Sequence, residues 1–310
     1  MQINQKILIT GGSGLVGNAL YKNLQNKGYK DITSISSKEC NLINKDEVKK
    51  LFDLIKPDYV FHLAAKVYGI GGNKKFPSDV LYENVMINTN VVDACKKYKI
   101  KKIVAMGSGC VYPDLGSEEL SEDQIWLGPP HNSEAYYAHS KRFMLAHLDS
   151  IYKQYGMDYV FAISGNIFGP HDSFNINHGH VTPSLIHKFF LAHKNKEPIN
   201  IWGTGKAIRD FSFSADIAEA LFLSMKKLSG PVNIASGNRH SINDIVDILS
   251  NIYDNKIKIN YDSSKPDGQM VRFYNIEKLI SAGFKSEYSL KNGIIKTHNW
   301  FLKNVNYVRK

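Results

Sequence analysis

The chain has 310 residues and a formal net charge of +10, with 43% hydrophobic and 22% charged residues. This is the composition of a globular protein with one large domain or two joined ones, and it excludes a disordered chain. Apolar runs are too short for a membrane-spanning helix or a signal peptide, and only five basic residues are arginine, so neither membrane nor nucleic-acid binding is expected.

The first half of the chain alternates short apolar runs with helical patterns. The apolar runs, rich in Ile, Val and Tyr, predict strands at Lys6–Thr10, Asp31–Ser36, Tyr59–Leu63, Lys102–Gly107 and Tyr159–Ser164. Between them, apolar residues recur at spacings of three and four and predict helices around Leu15–Leu24, Val48–Ile55, Val80–Cys95 and Met144–Tyr152. Strand–helix alternation of this kind predicts an α/β fold, a doubly wound parallel sheet of the Rossmann type.

After Ser164 the pattern is less regular. Residues 165–177 are rich in Gly, Pro, His, Asp and Asn and predict a loop. The remaining patterns predict four helices and two strands, in chain order Thr182–His193, Ile199–Trp202 (strand), Ile217–Lys226, Val232–Ala235 (strand), Ile242–Ile252 and Leu290–Leu302. We expect a Rossmann domain over residues 1–165, to which residues 210–237 return, and a smaller, mainly substrate-binding α/β domain over residues 166–310.

A glycine-rich segment follows the first predicted strand and opens the first helix. It comprises Gly11, Gly12, Ser13, Gly14, Leu15, Val16 and Gly17. Gly11 permits a sharp turn, Gly14 lets backbone N–H groups approach a pyrophosphate, and Gly17 lets the helix pack close to the strand. Because the helix N-terminus adds partial positive charge, the segment predicts a dinucleotide site.

The end of the second strand indicates which dinucleotide binds there. An NAD site usually has an Asp or Glu at this point, whereas this chain has Ser34–Lys38 and no acid before Glu39. Hydroxyl groups and a lysine, at Ser37 and Lys38, tolerate a 2′-phosphate, which favours NADP(H) over NAD. Lys38 is equally compatible with a solvated loop.

A tyrosine and a lysine lie four residues apart at the start of the fourth helix. Tyr137 and Lys141 would share one helix face, so the ammonium is expected to lower the pKa of the phenol and suit it to proton transfer. Three other Tyr-x-x-x-Lys pairs begin at Tyr98, Tyr261 and Tyr274, as chance alone would give in this chain. Position favours Tyr137, because Ser108 follows a neighbouring strand and would bind the same substrate oxygen.

These residues resemble the extended short-chain dehydrogenase/reductase superfamily and, within it, the GDP-L-fucose synthase family. The matching segments run in the family's order over nearly the whole chain, at Thr10–Gly17, Leu63–Asn73, Gly107–Pro113, Tyr137–Lys141, Asn166–Asp172, His180–Pro183, Trp202–Gly205, Arg209–Phe211 and Ser264–Gly268. The resemblance implies NADPH-dependent reduction of a GDP-4-keto-6-deoxy sugar after inversion at C3 and C5. The cofactor-binding residues then also include Leu63, Ala64, Ala65, Asn166, Ile167 and His180, together with Tyr137 and Lys141, of which Lys141 can reach the nicotinamide ribose.

The resemblance also implies roles for individual side chains. Ser108, Tyr137 and Lys141 would serve the hydride step, with Tyr137 protonating the C4 oxygen. Cys110 and His180 fall on the epimerisation positions, where acid/base groups with pKa values near neutrality are needed; a buried core cysteine and a surface histidine are the plain alternatives. The substrate-binding positions correspond to Lys188, Trp202, Arg209 and Lys265.

Several positions depart from the family pattern, and at one of the substrate-binding positions Lys188 replaces the more usual arginine. The family often has arginine in the glycine segment and after the second strand, where this chain has Ser13 and Ser37/Lys38. Gly109 replaces a serine, and Gly165 replaces a small polar residue such as threonine. These changes fit a different sugar, such as a heptose, or reduction without epimerisation.

The sequence can also be weighed against three other functions. A 4,6-dehydratase would need an acidic pair after Ser108, which this chain lacks, and a non-catalytic NADP sensor would have lost Tyr137 or Lys141. An NAD-dependent nucleotide-sugar 4-epimerase is the remaining rival. Three cysteines at unrelated spacings indicate neither disulfides nor a metal site and suit a reducing cytoplasm, and a homodimer is expected.

Overall fold

The computed structural model describes residues 1–67, 72–73, 75–116, 119–176, 179–265, 267 and 269–308. Within these ranges the strands are β1 (Ile7–Thr10), β2 (Ile32–Ile35), β3 (Tyr59–His62), β4 (Lys102–Met106), β5 (Asp158–Ser164), β6 (Asn166–Phe168), β7 (Ile199–Trp202), β8 (Ile208–Arg209), β9 (Phe211–Phe213), β10 (Gly230–Ile234), β11 (His240–Ser241), β12 (Ile259–Asp262) and β13 (Val271–Arg272). The helices are α1 (Leu15–Asn26), α2 (Lys45–Ile55), α3 (Pro77–Lys97), α4 (Ala135–Tyr155), α5 (Val181–Asn195), α6 (Ser214–Lys227), α7 (Ile242–Ile252), α8 (Glu277–Ser281) and α9 (Leu290–Asn304).

Six strands form one parallel sheet in the order β10-β5-β4-β3-β1-β2. Side chains alternate between its two faces, so Ile103 and Ala105 join a core with α2, α3 and α4, whereas Val104 joins another with α1 and α6. Helices therefore cover both faces, which confirms the predicted doubly wound α/β fold. The carboxyl ends of all six strands meet at one edge, where such folds bind ligands.

The second half of the chain builds a smaller layer beside this edge. A third apolar core joins α5, α7 and α9 through Phe189, Leu249 and Phe301, all buried. Three small sheets surround it, β11-β8-β13, β12-β7 and β6-β9. β10, predicted as a strand over Val232–Ala235, pairs with β5 at the end of the large sheet.

One local prediction was wrong. Residues 165–177 were expected to be a loop throughout, but Asn166–Phe168 forms β6, in parallel register with β9. Three residues next to Gly and Pro carry too little periodicity to signal a strand, and the partner lies more than forty residues later in the chain. Such a pairing is a tertiary effect that local pattern does not contain.

Two motif segments are only partly described. Tyr68, Gly69, Ile70 and Gly71 of the segment Leu63–Asn73, and Pro266 and Gly268 of Ser264–Gly268, lie outside the described residues. In the described ranges, no helix combines the length and apolarity needed to cross a membrane.

A buried histidine lies at the end of β3, below the edge where ligands are expected. His62 is 1% exposed, with Nδ1 2.8 Å from the Thr10 hydroxyl and Nε2 3.1 Å from Asn88 Oδ1. Burial, helped by the positive charge of Lys141, lowers the pKa of His62 from 6.5 to about 3. The folded protein therefore holds this imidazole neutral.

This histidine should make the protein sensitive to acid. Below the ordinary pKa of histidine, the imidazole of residue 62 binds a proton in the unfolded chain but stays neutral in the folded chain. The free energy of unfolding should therefore fall by up to about 1.4 kcal/mol per pH unit between about pH 6.5 and the folded pKa. When the free energy of unfolding is measured by urea denaturation across this pH range, His62→Gln should reduce its dependence on pH by the equivalent of about one bound proton. The exposed His139→Gln variant is the control, and equal slopes for wild type and His62→Gln would contradict the expectation.

Candidate active site

The glycine-rich segment has the close packing that a dinucleotide site requires. Gly11 has φ +74°, and a Cβ there would lie 2.8 Å from the Ala64 nitrogen. A Cβ at Gly17 would collide with the carbonyl oxygen of Gly11. By contrast, a Cβ at Gly14 would meet only the Gly11 carbonyl oxygen, at 3.2 Å, so the space in front of the α1 N-terminus is open. The sequence-based interpretation of these glycines fits this geometry.

The segments that follow β3 and β5 border the same edge of the sheet. Leu63, Ala64 and Ala65 leave β3 half-buried, and the Ala64 N–H donates to the Thr10 hydroxyl over 3.4 Å. Asn166 and Ile167, also half-buried, form β6 after the end of β5. Since these strands are parallel, both segments lie at the edge that carries the glycine-rich turn.

The turn after β2 carries both a cation and an anion. Ser37 and Lys38 are exposed, as a contact with a bound phosphate would need. Glu39 instead accepts hydrogen bonds from the Ser36 N–H, at 2.7 Å, and the Ser36 hydroxyl, at 2.5 Å. These bonds lower the pKa of the Glu39 carboxyl. Its carboxylate thus closes the turn and leaves Ser37 and Lys38 facing solvent.

Four of the predicted catalytic residues lie together where β4 ends and α4 begins. Ser108 caps a short 3₁₀ turn, Gly109–Val111, and its Oγ accepts the Cys110 N–H at 3.4 Å. Lys141 is 1% exposed and donates from Nζ to the Met106 carbonyl oxygen at 2.8 Å. The same Nζ lies 5.7 Å from the centre of the Tyr137 ring. Cys110 interacts electrostatically with Tyr137 and Lys141, so its thiol lies near both groups.

The predicted effect of Lys141 on the phenol was wrong for the free protein. Burial, together with the neighbouring Cys110 and Glu134, raises the pKa of Tyr137 above its ordinary value. Burial also lowers the pKa of Lys141 to about 8. Helix spacing predicted the pair correctly, but the desolvation of both groups depends on the tertiary structure. The phenol is therefore protonated at neutral pH, which is the state that a proton donor requires.

Cys110 also differs from the expectation of a thiol that titrates near neutrality. It is 3% exposed, and burial, reinforced by Glu134, raises its pKa to about 12. Hydrogen bonding by Ser108 and the charges of Arg272 and Lys141 act in the opposite direction and only partly offset this. In the free protein Cys110 is thus a neutral thiol, able to donate a proton more readily than to accept one.

This state of Cys110 predicts slow alkylation. Because the thiolate is the nucleophile, N-ethylmaleimide should modify Cys110 at least about 10²-fold more slowly at pH 8 than it modifies a free cysteine. Timed labelling followed by peptide mass spectrometry measures the rate, and the same protein in urea gives the unprotected reference. Modification of native Cys110 at the rate found in urea would contradict the assignment.

His180 is less closely integrated into the site than sequence suggested. It precedes α5 as its N-cap residue, and its side chain is 53% exposed. Its Nδ1 lies 3.9 Å from the Asp172 carboxylate, which is buried. The groups that shift the pKa values of Cys110 and Tyr137 come from other segments of the chain. Its catalytic and cofactor-binding roles stay predictions.

Arg209, Arg272 and Glu134 form a charged cluster near Cys110, and the sequence analysis identified only Arg209 of the three. Arg209 donates to the Ile208 carbonyl oxygen at 2.8 Å, and burial, with the nearby Arg272, lowers its pKa to about 10. Arg272 Nη1 lies 3.4 Å from the carboxylate of Glu134, the residue just before α4. Arginine is scarce in this chain, and that scarcity was the available signal for Arg272. Two adjacent guanidinium groups with one carboxylate leave net positive charge for an anion.

The remaining predicted substrate residues lie on three different elements: Lys188 is on α5, Trp202 ends β7, and Lys265 follows β12. Trp202 is 53% exposed, and Lys188 Nζ lies 5.3 Å from the centre of its ring. Asp267 accepts the Thr204 N–H at 2.7 Å and its hydroxyl at 3.0 Å, which joins the loop after Trp202 to the segment that carries Lys265. Lys265 itself is exposed. An exposed aromatic face with a lysine beside it suits a base and its phosphates.

Comparison with known proteins gives concordant matches. Residues 7–235 match the NAD dependent epimerase/dehydratase family. The GDP-L-fucose synthase of Dictyostelium discoideum is 35% identical over 98% of this chain and 97% of its own length. A GDP-L-fucose synthetase from Naegleria fowleri, solved with bound NADP, superposes with a TM-score of 0.92 at 30% identity, covering 100% of this chain and 98% of that one. A GDP-D-glycero-L-gluco-heptose synthase from Campylobacter jejuni, solved in the presence of NADPH, gives 0.91 at 27% identity, covering 97% and 99%.

Proposed function

Because the chain belongs to the NAD dependent epimerase/dehydratase family, we propose that it is an NADP(H)-dependent enzyme that reduces the C4 ketone of a GDP-4-keto sugar. The observation that carries this is the group of Ser108, Tyr137 and Lys141 at the end of β4, on the same carboxyl edge of the sheet as the glycine-rich turn after β1. The matched GDP-L-fucose synthases support a 6-deoxyhexose, and the matched heptose synthase supports a heptose, as the sugar.

The residues present fit NADP(H). The space in front of Gly14 is open while Gly11 and Gly17 pack against backbone, so a pyrophosphate can approach the α1 N-terminus. This turn is completed by Gly12, Ser13, Leu15 and Val16. The 2′-phosphate of the cofactor would contact Ser37 and Lys38. When bound, the cofactor supplies the hydride. The contacts of Leu63, Ala64, Ala65, Asn166 and Ile167 would hold it along the strand edge.

Side chains of the protein then supply the proton that the C4 oxygen needs. The Tyr137 phenol, protonated at neutral pH, donates its proton to the C4 oxygen while the Ser108 hydroxyl donates a hydrogen bond to the same oxygen. Lys141 places its positive charge within 5.7 Å of the ring centre, where it stabilises the phenolate that forms. The Met106 carbonyl oxygen fixes the lysine in this position.

Substrate binding follows from the charge cluster. Arg209, with Arg272 beside it, is placed to hold the diphosphate, since a guanidinium group binds phosphate oxygens in bidentate fashion. Trp202 would shelter the base or ribose, with Lys188 and Lys265 near the phosphates. Lys265 is the more peripheral of the two lysines, because it is exposed, whereas Lys188 is half-buried on α5.

Epimerisation at C3 and C5 is the finer part of the proposal. Hydrogens beside a ketone are acidic because an enolate can form, so one group must remove a proton and another must return it. Cys110, a neutral thiol next to Ser108, suits the donor, and the exposed His180 suits the base. A reductase without epimerase activity is the alternative, favoured by the departure from the family pattern at Gly109 and Gly165.

One experiment tests both parts. Purified protein is incubated in heavy water with NADPH and GDP-4-keto-6-deoxymannose, while absorbance follows NADPH loss and mass spectrometry follows deuterium at C3 and C5. We expect NADPH loss and deuterium at both carbons. Reduction without deuterium would remove Cys110 and His180 from the catalytic residues. Retention of tightly bound NAD after purification, without NADPH loss, would favour a 4-epimerase.

We further propose that residues 1–165 and 210–237 form the cofactor-binding unit, and that the rest of 166–310 is mainly the substrate-binding unit.

A homodimer formed through α3 and α4 would cover Tyr82 and Phe143, which are 59% and 47% exposed on those helices. Three free, buried cysteines suit a cytoplasmic enzyme.

A further inference from the structure

A buried tyrosine spans the ends of the two strands that flank the reacting centre. Tyr274 is 3% exposed, and its backbone is held beside Leu120, whose N–H donates to the Phe273 carbonyl oxygen at 3.1 Å. Its ring lies against Gly109 after β4 and against Gly165 after β5.

The fit between this ring and the two glycines is close. A Cβ at Gly109 would lie 2.8 Å from the Tyr274 Cζ and would overlap the hydroxyl oxygen. A Cβ at Gly165 would lie 3.0 Å from Cε2 of the same ring. Neither glycine has the positive φ that excludes side chains. The ring of Tyr274 is therefore the main reason that no side chain fits at position 109.

The hydroxyl of Tyr274 lies against the segment that carries Ser108 and Cys110. It touches the residue between Ser108 and Cys110, and Tyr274 interacts electrostatically with Arg272, Asp210, Cys110 and Glu134. The neighbouring buried phenol, Tyr112, instead turns away and donates to Asn233 Oδ1 at 2.6 Å. The ring centres of the two tyrosines lie 6.1 Å apart, so the two phenols are neighbours whose hydroxyl groups point to different partners.

We propose that Tyr274, from the second half of the chain, determines sugar specificity by presenting its hydroxyl beside Gly109, the residue between Ser108 and Cys110. Its ring and hydroxyl occupy the volume that a side chain at position 109 would need. A phenol hydroxyl there donates a hydrogen bond to the sugar ring, and its rigid ring sets the size of the pocket on that side. This inference rests on the proposed function, because the sugar of a GDP-sugar is the ligand that it contacts.

The first test removes the hydroxyl alone. In Tyr274→Phe, kcat/KM for GDP-4-keto-6-deoxymannose should fall about tenfold, the value of one neutral hydrogen bond to substrate. The affinities for GDP and for NADPH, measured by calorimetry, should be unchanged. The factor by which GDP-mannose binds more tightly than GDP should become smaller. Tyr112→Phe is the matched control, since it loses a buried hydrogen bond remote from the sugar and should affect thermal stability only. Wild-type kinetics and wild-type GDP-mannose binding in Tyr274→Phe would overturn the proposal.

The second test moves the hydroxyl from residue 274 to residue 109. Gly109→Ser alone should clash with the ring and lose at least about tenfold in kcat/KM. Adding Tyr274→Leu should recover most of this loss, because it clears the volume that the serine needs. A double variant no better than Gly109→Ser would overturn the proposal. If the wild type reduces no GDP-4-keto sugar, the proposed function fails, but the comparison of GDP-mannose with GDP still decides whether Tyr274 contacts the sugar.

Discussion

Tyr137→Phe should lower kcat for ketone reduction about 10³-fold, within the range of 10² to 10⁴ typical of a lost general acid. The phenol is the group placed to protonate the C4 oxygen, and burial keeps it protonated. Phenylalanine keeps the ring, so the packing of α4 and the affinity for NADPH should be nearly unchanged. Stopped-flow loss of NADPH absorbance gives kcat, and fluorescence titration gives the dissociation constant of NADPH.

The adjacent tyrosine provides the control for this experiment. Tyr136 is 50% exposed on the same turn of α4, and Tyr136→Phe should leave kcat within about twofold of wild type. A variant Tyr137→Phe with near-normal turnover would refute the acid assignment. Equal losses in the two variants would indicate damage to the helix instead.

The large sheet could be predicted from the sequence because its strands are short, buried and β-branched. β4, for example, was expected at Lys102–Gly107 and is found at Lys102–Met106. α7 was predicted at the bounds found, since Ser241 starts it and apolar residues recur along one face. The two-residue strands β8, β11 and β13 could not be predicted, because they exist only through pairing with one another.

The candidate site was predictable where it depends on strand ends and helix spacing. Ser108, Cys110, Tyr137 and Lys141 belong to two segments, and the rule for parallel sheets brings those segments together. Their protonation states were not predictable, since burial dominates the pKa shifts of Tyr137, Lys141 and Cys110. Tyr274 was set aside as part of a chance Tyr-x-x-x-Lys match. Lys278 in fact binds the Ser229 and Pro231 carbonyl oxygens, and Tyr274 reaches the site through a different contact.

Lys141→Met should lower kcat/KM about 10²-fold or more at neutral pH, because it removes the positive charge that stabilises the developing phenolate. The exposed Lys153→Met, on the same helix and paired with Asp149 at 2.7 Å, should have little effect. NADPH consumption under subsaturating substrate measures both. If Lys141→Met matched Lys153→Met, the lysine would have no catalytic role.

The pH profile separates the charge of Lys141 from its packing. Burial lowers its pKa to about 8, so in the free enzyme the ammonium loses its proton as the pH rises through that value. Since kcat/KM reports groups of the free enzyme, wild-type kcat/KM should fall tenfold per pH unit above about pH 8. An arginine stays protonated throughout this range, so any activity retained by Lys141→Arg should lack the alkaline decline. Persistence of the same decline in Lys141→Arg would assign it to another group and leave the lysine only the role of a hydrogen-bonded support against Met106.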